Sequence, residues 1–296
     1  YASGSDVVNP RTERLAREYD RVSESCVVAR ASDVVVLCVG LDERYEGEAH
    51  HISTGECIGG DKEDLHFPET QRKLIDAVLD CGTPVVLCCM AGSCMDLSPY
   101  ADRAAAVIQT WYPGAEGGQV LADILAGKTA PSGKLPVTFY GGDYEIPDFT
   151  DYSLKNRTYR YVEQGVLYPF GYGLTYGTAE VISAAYDQKS KKVSYEIVNR
   201  SDRAVEETVQ VYKKNRTSKW EVRNTVLCGF AKVCLAPGET RQGEIQLDEY
   251  AFTVVNDQGK RVQDGSDYLL YVGTHGPDKR SEELTGTKAI ALDIKF

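Results

Sequence analysis

Three short, continuous apolar runs constrain this chain most: VVVLCVG at 34–40, PVVLCCM at 84–90 and AAAVIQTW at 104–111. The first leads, after a polar loop, to the helical pattern ETQRKLIDAVLDCG, the second ends in the loop AGSCMDLSPYADR, and the third leads to the helical pattern QVLADILAG. Unbroken Val/Ile/Leu runs alternating with helical patterns are the mark of parallel strands in a covered sheet. The expectation is an α/β sandwich with helices on both faces, the run at 34–40 being buried on both sides. A helix is also expected over PRTERLAREYDRVSESCVVARAS, where Leu15, Tyr19, Val22 and Cys26 recur at three- and four-residue spacing. Gly82 reads as the residue that ends the helix over 69–81.

The period changes downstream. From Lys128 to Gly173 prolines and glycines break any helical pattern, while ten aromatic residues recur between Tyr140 and Tyr176. Such a stretch is too apolar for a free linker and is expected to bury its rings on a protein surface. After residue 178 short alternating runs follow at regular spacing: KKVSYEIVN, ETVQVYKKN, VLCGFAKVCL, GEIQLDEY, AFTVVND and DYLLYVG. Turn signals separate them, and the pattern predicts an all-β fibronectin III/Ig-like sandwich. The expected division is 1–140 for a partial α/β domain, 141–177 for the aromatic connector and 178–296 for the sandwich.

Charge and cysteine usage exclude several functions. A net charge of -11 speaks against a nucleic-acid binder, and no apolar run is long enough to span a bilayer. The nine cysteines show no paired spacing, and Cys88 and Cys89, neighbours in a strand-like run, read as small buried hydrophobes. That usage favours a reducing, bacterial cytoplasmic compartment over secretion. Tyr1-Ala2-Ser3-Gly4 does not read as a natural start, so residue 1 is expected to lie inside a longer polypeptide. The sequons at Asn156, Asn199 and Asn215 are expected to be chance matches.

Candidate chemistry concentrates in the loop after the first apolar run, which holds Glu43, Glu46, Glu48, His50, His51, Glu56 and Cys57. A loop at the carboxyl end of a buried strand is where open α/β sheets bind ligands. The residues alone leave several readings open. Clustered glutamates supply a general acid if one has its pKa raised, or they are solvated surface. A metal site would need ligand types such as Glu48, His50, His51 and Cys57. Adjacent histidines do not converge on one ion, and HExxH and paired CxxC are absent, so no metal and no cofactor are expected. Gly114 to Gly118 lacks the nucleotide-binding patterns and reads as a tight strand-to-helix turn. No GxSxG is present, and Asp96 reads as a capping or hydrogen-bonding residue at a strand end.

Longer blocks carry more information than any of these. They are SDVVVLCVG with the following EGE, DLHFPETQ at 64–71, PVVLCCMAGSCMDLS, TWYPGAEGGQVLADILAGKTAPSGKLPVTF and NRTYRYVEQGVLYPFGYGLTY. VQVY, GF and LAPGE follow. In this order, over nearly the whole chain, they resemble the C-terminal part of glycoside hydrolase family 3 enzymes. The resemblance implies a retaining exo-β-glycosidase in which a (β/α)8 barrel supplies an aspartate nucleophile and the sandwich loop supplies the acid/base glutamate. That glutamate falls on Glu46, with Glu48 the runner-up; His50 and His51 are loop candidates for substrate contact. The implied partners are an oligosaccharide or glycoside substrate and an N-terminal barrel, on the same polypeptide or another chain, and a homo-oligomer is allowed. The barrel and its nucleophile motif are missing here, and AHHISTGECIGG lengthens the loop relative to many members. EGE…GDKEDL, GSCMDLS and NRTYRY resemble the β-xylosidase branch more than the β-glucosidase one. Outside the enzyme class, a non-catalytic carbohydrate-binding or scaffold fragment remains the competing expectation.

Overall fold

The computed structural model describes residues 1–6, 17, 19–42 and 64–296, together with the backbone of 57–58 and 61–62. The chain folds into two compact units: Tyr1–Asp123 with Tyr140–Ile146, and Ile124–Phe139 with Pro147–Phe296. No helix of the described residues is long and apolar enough to cross a membrane.

The first unit begins with helix α1 (Asp20–Arg30) and strand β1 (Val35–Gly40). A two-strand ribbon follows, β2 (Cys57–Ile58) and β3 (Asp61–Lys62), and then helix α2 (Glu69–Leu79). Strands β4 (Val85–Met90) and β5 (Ala106–Gln109) follow, and helix α3 (Gly117–Leu125) ends this stretch. The sheet order is β1-β4-β5, with both pairings parallel, as the apolar runs predict. The buried positions of α2, Leu74, Ile75 and Val78, fall one helical turn apart. Gly82 adopts φ 80° just beyond this helix, where a side chain would be strained.

Two expectations are corrected here. Helix α1 starts only at Asp20, because Tyr19 sits in the left-handed region at φ 71° and cannot continue a right-handed helix upstream. Residues 7–16 of the expected helix lie outside the described residues. Strand β1 is not buried on both faces: Leu37 and Val39 are inside, whereas Val34, Val36 and Cys38 are exposed. β1 is an edge strand with period-2 side chains, and among the described residues only the Leu37/Val39 face is covered. Strand β4, in the centre, has Cys88 and Cys89 fully buried on its opposite faces, matching their reading as small hydrophobes.

The second part of the chain opens with β6 (Phe139–Tyr140), helix α4 (Thr158–Tyr161) and β7 (Val166–Tyr168). Strands β8 (Ala179–Asp187), β9 (Lys192–Asn199), β10 (Val205–Asn215), β11 (Val226–Leu235) and β12 (Thr240–Gln246) follow. Last come β13 (Val254–Val255), β14 (Arg261–Val262), β15 (Asp267–Gly273), helix α5 (Lys279–Thr285) and β16 (Ile290–Lys295). Two sheets, β11-β10-β15-β16 and β12-β9-β8, enclose a core that includes Val193, Ile197, Val209, Val211, Tyr268 and Leu270. This is the expected sandwich.

The connector packs onto this unit by specific hydrogen bonds. Leu135 N–H donates to Tyr172 O (2.8 Å) and Gly171 N–H to Leu135 O (2.8 Å), so PSGKLP and YPFGYGL run against each other. Lys134 Nζ lies 2.8 Å from buried Glu207 and donates to Gly173 O. Gln210, between core residues Val209 and Val211 on the central strand, faces outward and donates to Gly171 O (2.9 Å). Tyr159 stacks on Phe170 at 4.0 Å, and Phe170 meets Tyr212 edge-on. The expected ring burial fails at Phe149 and Tyr152, which are more than four-fifths exposed. Asp148 accepts Thr150 N–H and Asp151 accepts Ser153 N–H, and these local Asx turns hold their segment away from a packed layer.

Candidate active-site region at the carboxyl edge of the parallel sheet

The carboxyl ends of β1 and β4 meet at a tight crossing. A Cβ on Gly40 would overlap the carbonyl of Met90, so only glycine fits where β1 ends. Gln71, 3% exposed on α2, holds this strand end from both sides. Gly40 N–H donates to Gln71 Oε1 (2.8 Å), and Gln71 Nε2 donates to Gly40 O (2.6 Å). The amide replaces the strand partner that an edge peptide lacks. Leu41 N–H then donates to Met90 O (2.9 Å), which carries the chain one residue further along β4. Asp42 is the last described residue before the acidic segment. Glu43, Glu46, Glu48, His50, His51 and Glu56 all lie outside the described residues. The chain returns through the β2–β3 ribbon, Cys57 paired with Lys62 and Ile58 with Asp61.

A second polar cluster follows β4. Asp96, 3% exposed, follows β4. Its Oδ1 accepts Ser98 N–H (2.9 Å) and Ser98 Oγ–H (2.5 Å), and its own N–H donates to Leu65 O (2.6 Å). Ser98 Oγ in turn accepts Gly142 N–H (3.1 Å). The expected hydrogen-bonding role of Asp96 is therefore what its geometry provides. Across from it, His66 Nδ1 lies 3.5 Å from Asp96 Oδ2, with half of the imidazole in solvent. A buried carboxylate thus faces a half-exposed imidazole at the carboxyl edge of the sheet. Sequence reading passed over His66. Its only local signal was DLHFP, where Asp64 Oδ1 accepts His66 N–H (2.8 Å) and turns the chain.

Other candidates resolve more simply. Gly117 N–H donates to Gly114 O (3.2 Å), the tight turn expected before α3. Among the described residues no three His, Cys, Asp or Glu side chains gather as a metal cluster. Cys38 and Cys88 are register partners on β1 and β4. The Cys88 thiol donates to Cys38, pulling Cys38 down to about 7, and pushes itself up in exchange. Asn199 and Asn215 are 1% and 2% exposed, and their amides donate to backbone carbonyls at Arg203 and Asp264.

The fold and the edge geometry can be set beside known proteins. Residues 7–176 match the glycosyl hydrolase family 3 C-terminal domain, and residues 207–276 match a fibronectin type III-like domain. The chain belongs to glycosyl hydrolase family 3. It is 34% identical to a xylan 1,4-beta-xylosidase of Xylanibacter ruminicola over 92% of this chain and 32% of that protein. It is 32% identical to a periplasmic beta-glucosidase of Salmonella typhimurium, covering 85% of this chain and 34% of the relative. Among solved structures, a GH3 beta-glucosidase of Bifidobacterium adolescentis superposes with a TM-score of 0.79 at 26% identity. That alignment covers 99% of this chain and 43% of the other. The family 3 chain thus spans about a third of the length of the relatives it matches. Those relatives are glycoside hydrolases named for both xylosides and glucosides.

Proposed function

We propose that this chain is the acid/base-bearing part of a retaining exo-β-glycosidase, a β-xylosidase that releases terminal xylose from xylo-oligosaccharides. The observation that carries the reading is the locked strand end. In a family 3 chain, the Gly40–Gln71 clamp fixes the strand end from which the glutamate segment departs, at the carboxyl edge of a parallel sheet. Glu46, six residues beyond Gly40, is the general acid/base and Glu48 the alternative; His50 and His51 are the loop's candidates for substrate contact.

Retaining hydrolysis needs two carboxyls of opposite role. One attacks the anomeric carbon and forms a covalent glycosyl intermediate. The other, kept protonated at the start, gives its proton to the departing glycosidic oxygen and then takes one from the attacking water. Glu46 serves the second role, and the nucleophile is an aspartate of a (β/α)8 barrel outside this chain. A Glu46→Gln form of the complete enzyme loses turnover of substrates with poor leaving groups. Azide restores turnover of activated aryl glycosides, because they need no proton and azide needs no base. Unchanged kinetics reject Glu46.

A β-glucosidase of the same family is the second reading, favoured by the similarity to the Salmonella beta-glucosidase. Rates of the complete enzyme on aryl β-xyloside, β-glucoside, α-arabinoside and N-acetylglucosaminide separate the two.

A further inference from the structure

Helices α1 and α2 meet through two cysteines. Cys26, on α1, places its Sγ 3.5 Å from the carbonyl oxygen of Ala77 on α2. Cys81, just past the Asp80 cap of α2, brings its Sγ to 3.2 Å from that same oxygen and 3.7 Å from Cys26 O. Two thiols that share one acceptor lie side by side. Both are free and partly exposed. Burial and the adjoining Cys81 sulfur push the Cys26 thiol up, an effect that needs the two groups in contact. Arg30 and Asp80 are the charged groups that act on it, in opposite directions.

Neither thiol is required as a structural donor. An S–H group donates weakly, and this junction has a stronger bond in Thr83 Oγ1–H to Ala29 O at 2.8 Å. The backbone at Cys81 has room to adjust. Its neighbour Gly82 turns the chain at φ 80°, with open space where a side chain would stand. Drawing two touching sulfurs to the bonded length of about 2.05 Å takes a movement of that kind. Cys38 and Cys88 also touch, but they face each other straight across β1 and β4. Paired strands are spaced by about 4.8 Å, more than the Cβ separation of about 3.8 Å that a disulfide takes. A bond there would distort the sheet.

We propose that Cys26 and Cys81 are a modification site at which a hydroperoxide forms a reversible disulfide, tying α1 to α2. The Cys81 thiolate attacks one peroxide oxygen, the O–O bond breaks, and hydroxide departs from a sulfenic acid. Cys26, kept protonated beside it, is the resolving thiol. Its sulfur attacks the sulfenic sulfur, the S–O bond breaks, and the thiol proton leaves with the hydroxyl group as water. Two electrons pass from the two sulfurs to one peroxide, and a dithiol reverses the bond by exchange. The link joins positions 55 residues apart and so encloses β1, the acidic segment and the Gly40–Gln71 clamp. It needs neither substrate nor acid/base group, so it stands apart from the glycosidase reading.

The test treats the intact chain with hydrogen peroxide, blocks remaining thiols with N-ethylmaleimide and digests it unreduced with chymotrypsin. Cleavage after Leu37, Leu79 and Leu87 separates Cys26 and Cys81 from every other cysteine, on peptides 20–37 and 80–87. Mass spectrometry should find these two peptides joined as the main disulfide product, and dithiothreitol should release them. The oxidised chain should melt about 5 °C higher than the reduced one, since the bond restrains a long loop of the unfolded chain. Cys26→Ser and Cys81→Ser should each abolish both the joined peptides and the rise in melting temperature. Absence of the 20–37/80–87 product from the native chain overturns the proposal, and this outcome depends on no variant. Predominance of a Cys38–Cys88 bond, or conversion of Cys81 to sulfinic acid with Cys26 still free, overturns it equally.

Discussion

At the scale of single residues, Gln71 shows how one side chain controls a strand end. Replacing it by Met keeps the volume but leaves Gly40 N–H and C=O unpaired inside the protein. The expected cost is about 2–4 kcal/mol, read as a lower melting temperature by circular dichroism. An unchanged melt would show that the clamp is dispensable. Cys38 offers a pH-dependent readout. Its thiol sits near 7 because Cys88 donates to it, so the reactive thiolate forms as pH rises through that value. Alkylation by iodoacetamide, followed by mass spectrometry, should be faster at Cys38 than at buried Cys88 or Cys89 and should accelerate from pH 6 to pH 8. In Cys88→Ala the same acceleration should move to higher pH. Gln71 was visible in the sequence as the last residue of the DLHFPETQ block, but its role was not: nothing local marks a glutamine as the partner of a glycine 31 residues upstream.

At the scale of elements, the central strand β10 is nearly buried along its length although its sequence, VEETVQVYKKN, alternates as a half-exposed strand should. The reason is that polar side chains on it have been given partners by other segments. Glu207 is met by Lys134, Gln210 by Gly171 and Lys213 by Glu221. Lys213 and Glu221 are 6% and 4% exposed, so Lys213→Met should strand a buried carboxylate and cost about 3–5 kcal/mol. Adding Glu221→Leu should recover most of the loss, since an apolar pair of similar volume replaces two desolvated charges. Chemical denaturation of the single and double variants measures both, and equal losses would argue against the pair. The elements legible in sequence were those with clean periods: β9, β10, β11 and β15 fall close to where their alternating runs predict. β8, β16 and α5 went unread. For α5 a signal existed, because Asp278 caps the helix by accepting Ser281 N–H (2.8 Å).

At the scale of the whole molecule, the family 3 chain covers about a third of its relatives, and the proposed mechanism places its nucleophile in a barrel segment outside it. Expressed alone, it should hydrolyse no aryl β-xyloside, and activity should appear when a barrel-bearing segment is supplied in cis or in trans. Robust turnover by the isolated chain would overturn that division of labour. The order of the two folding patterns, and the blocks TWYPGAEGG, PSGKLPVTF and YPFGYGL, were enough to indicate the family, since periodicity and motif order are properties of the string.

What the sequence determined by itself was therefore the kind of structure: a parallel α/β unit with its acidic loop at a strand end, then an antiparallel sandwich. Both follow from local repeats that bury one face of each element. Only the tertiary structure decided which distant groups meet. It paired PSGKLP with YPFGYGL, set His66 against Asp96, locked Gly40 to Gln71 and left Phe149 and Tyr152 in solvent. Those outcomes depend on hydrogen bonds and contacts across long sequence separations. Their geometry is fixed by how the elements pack, which no local pattern records.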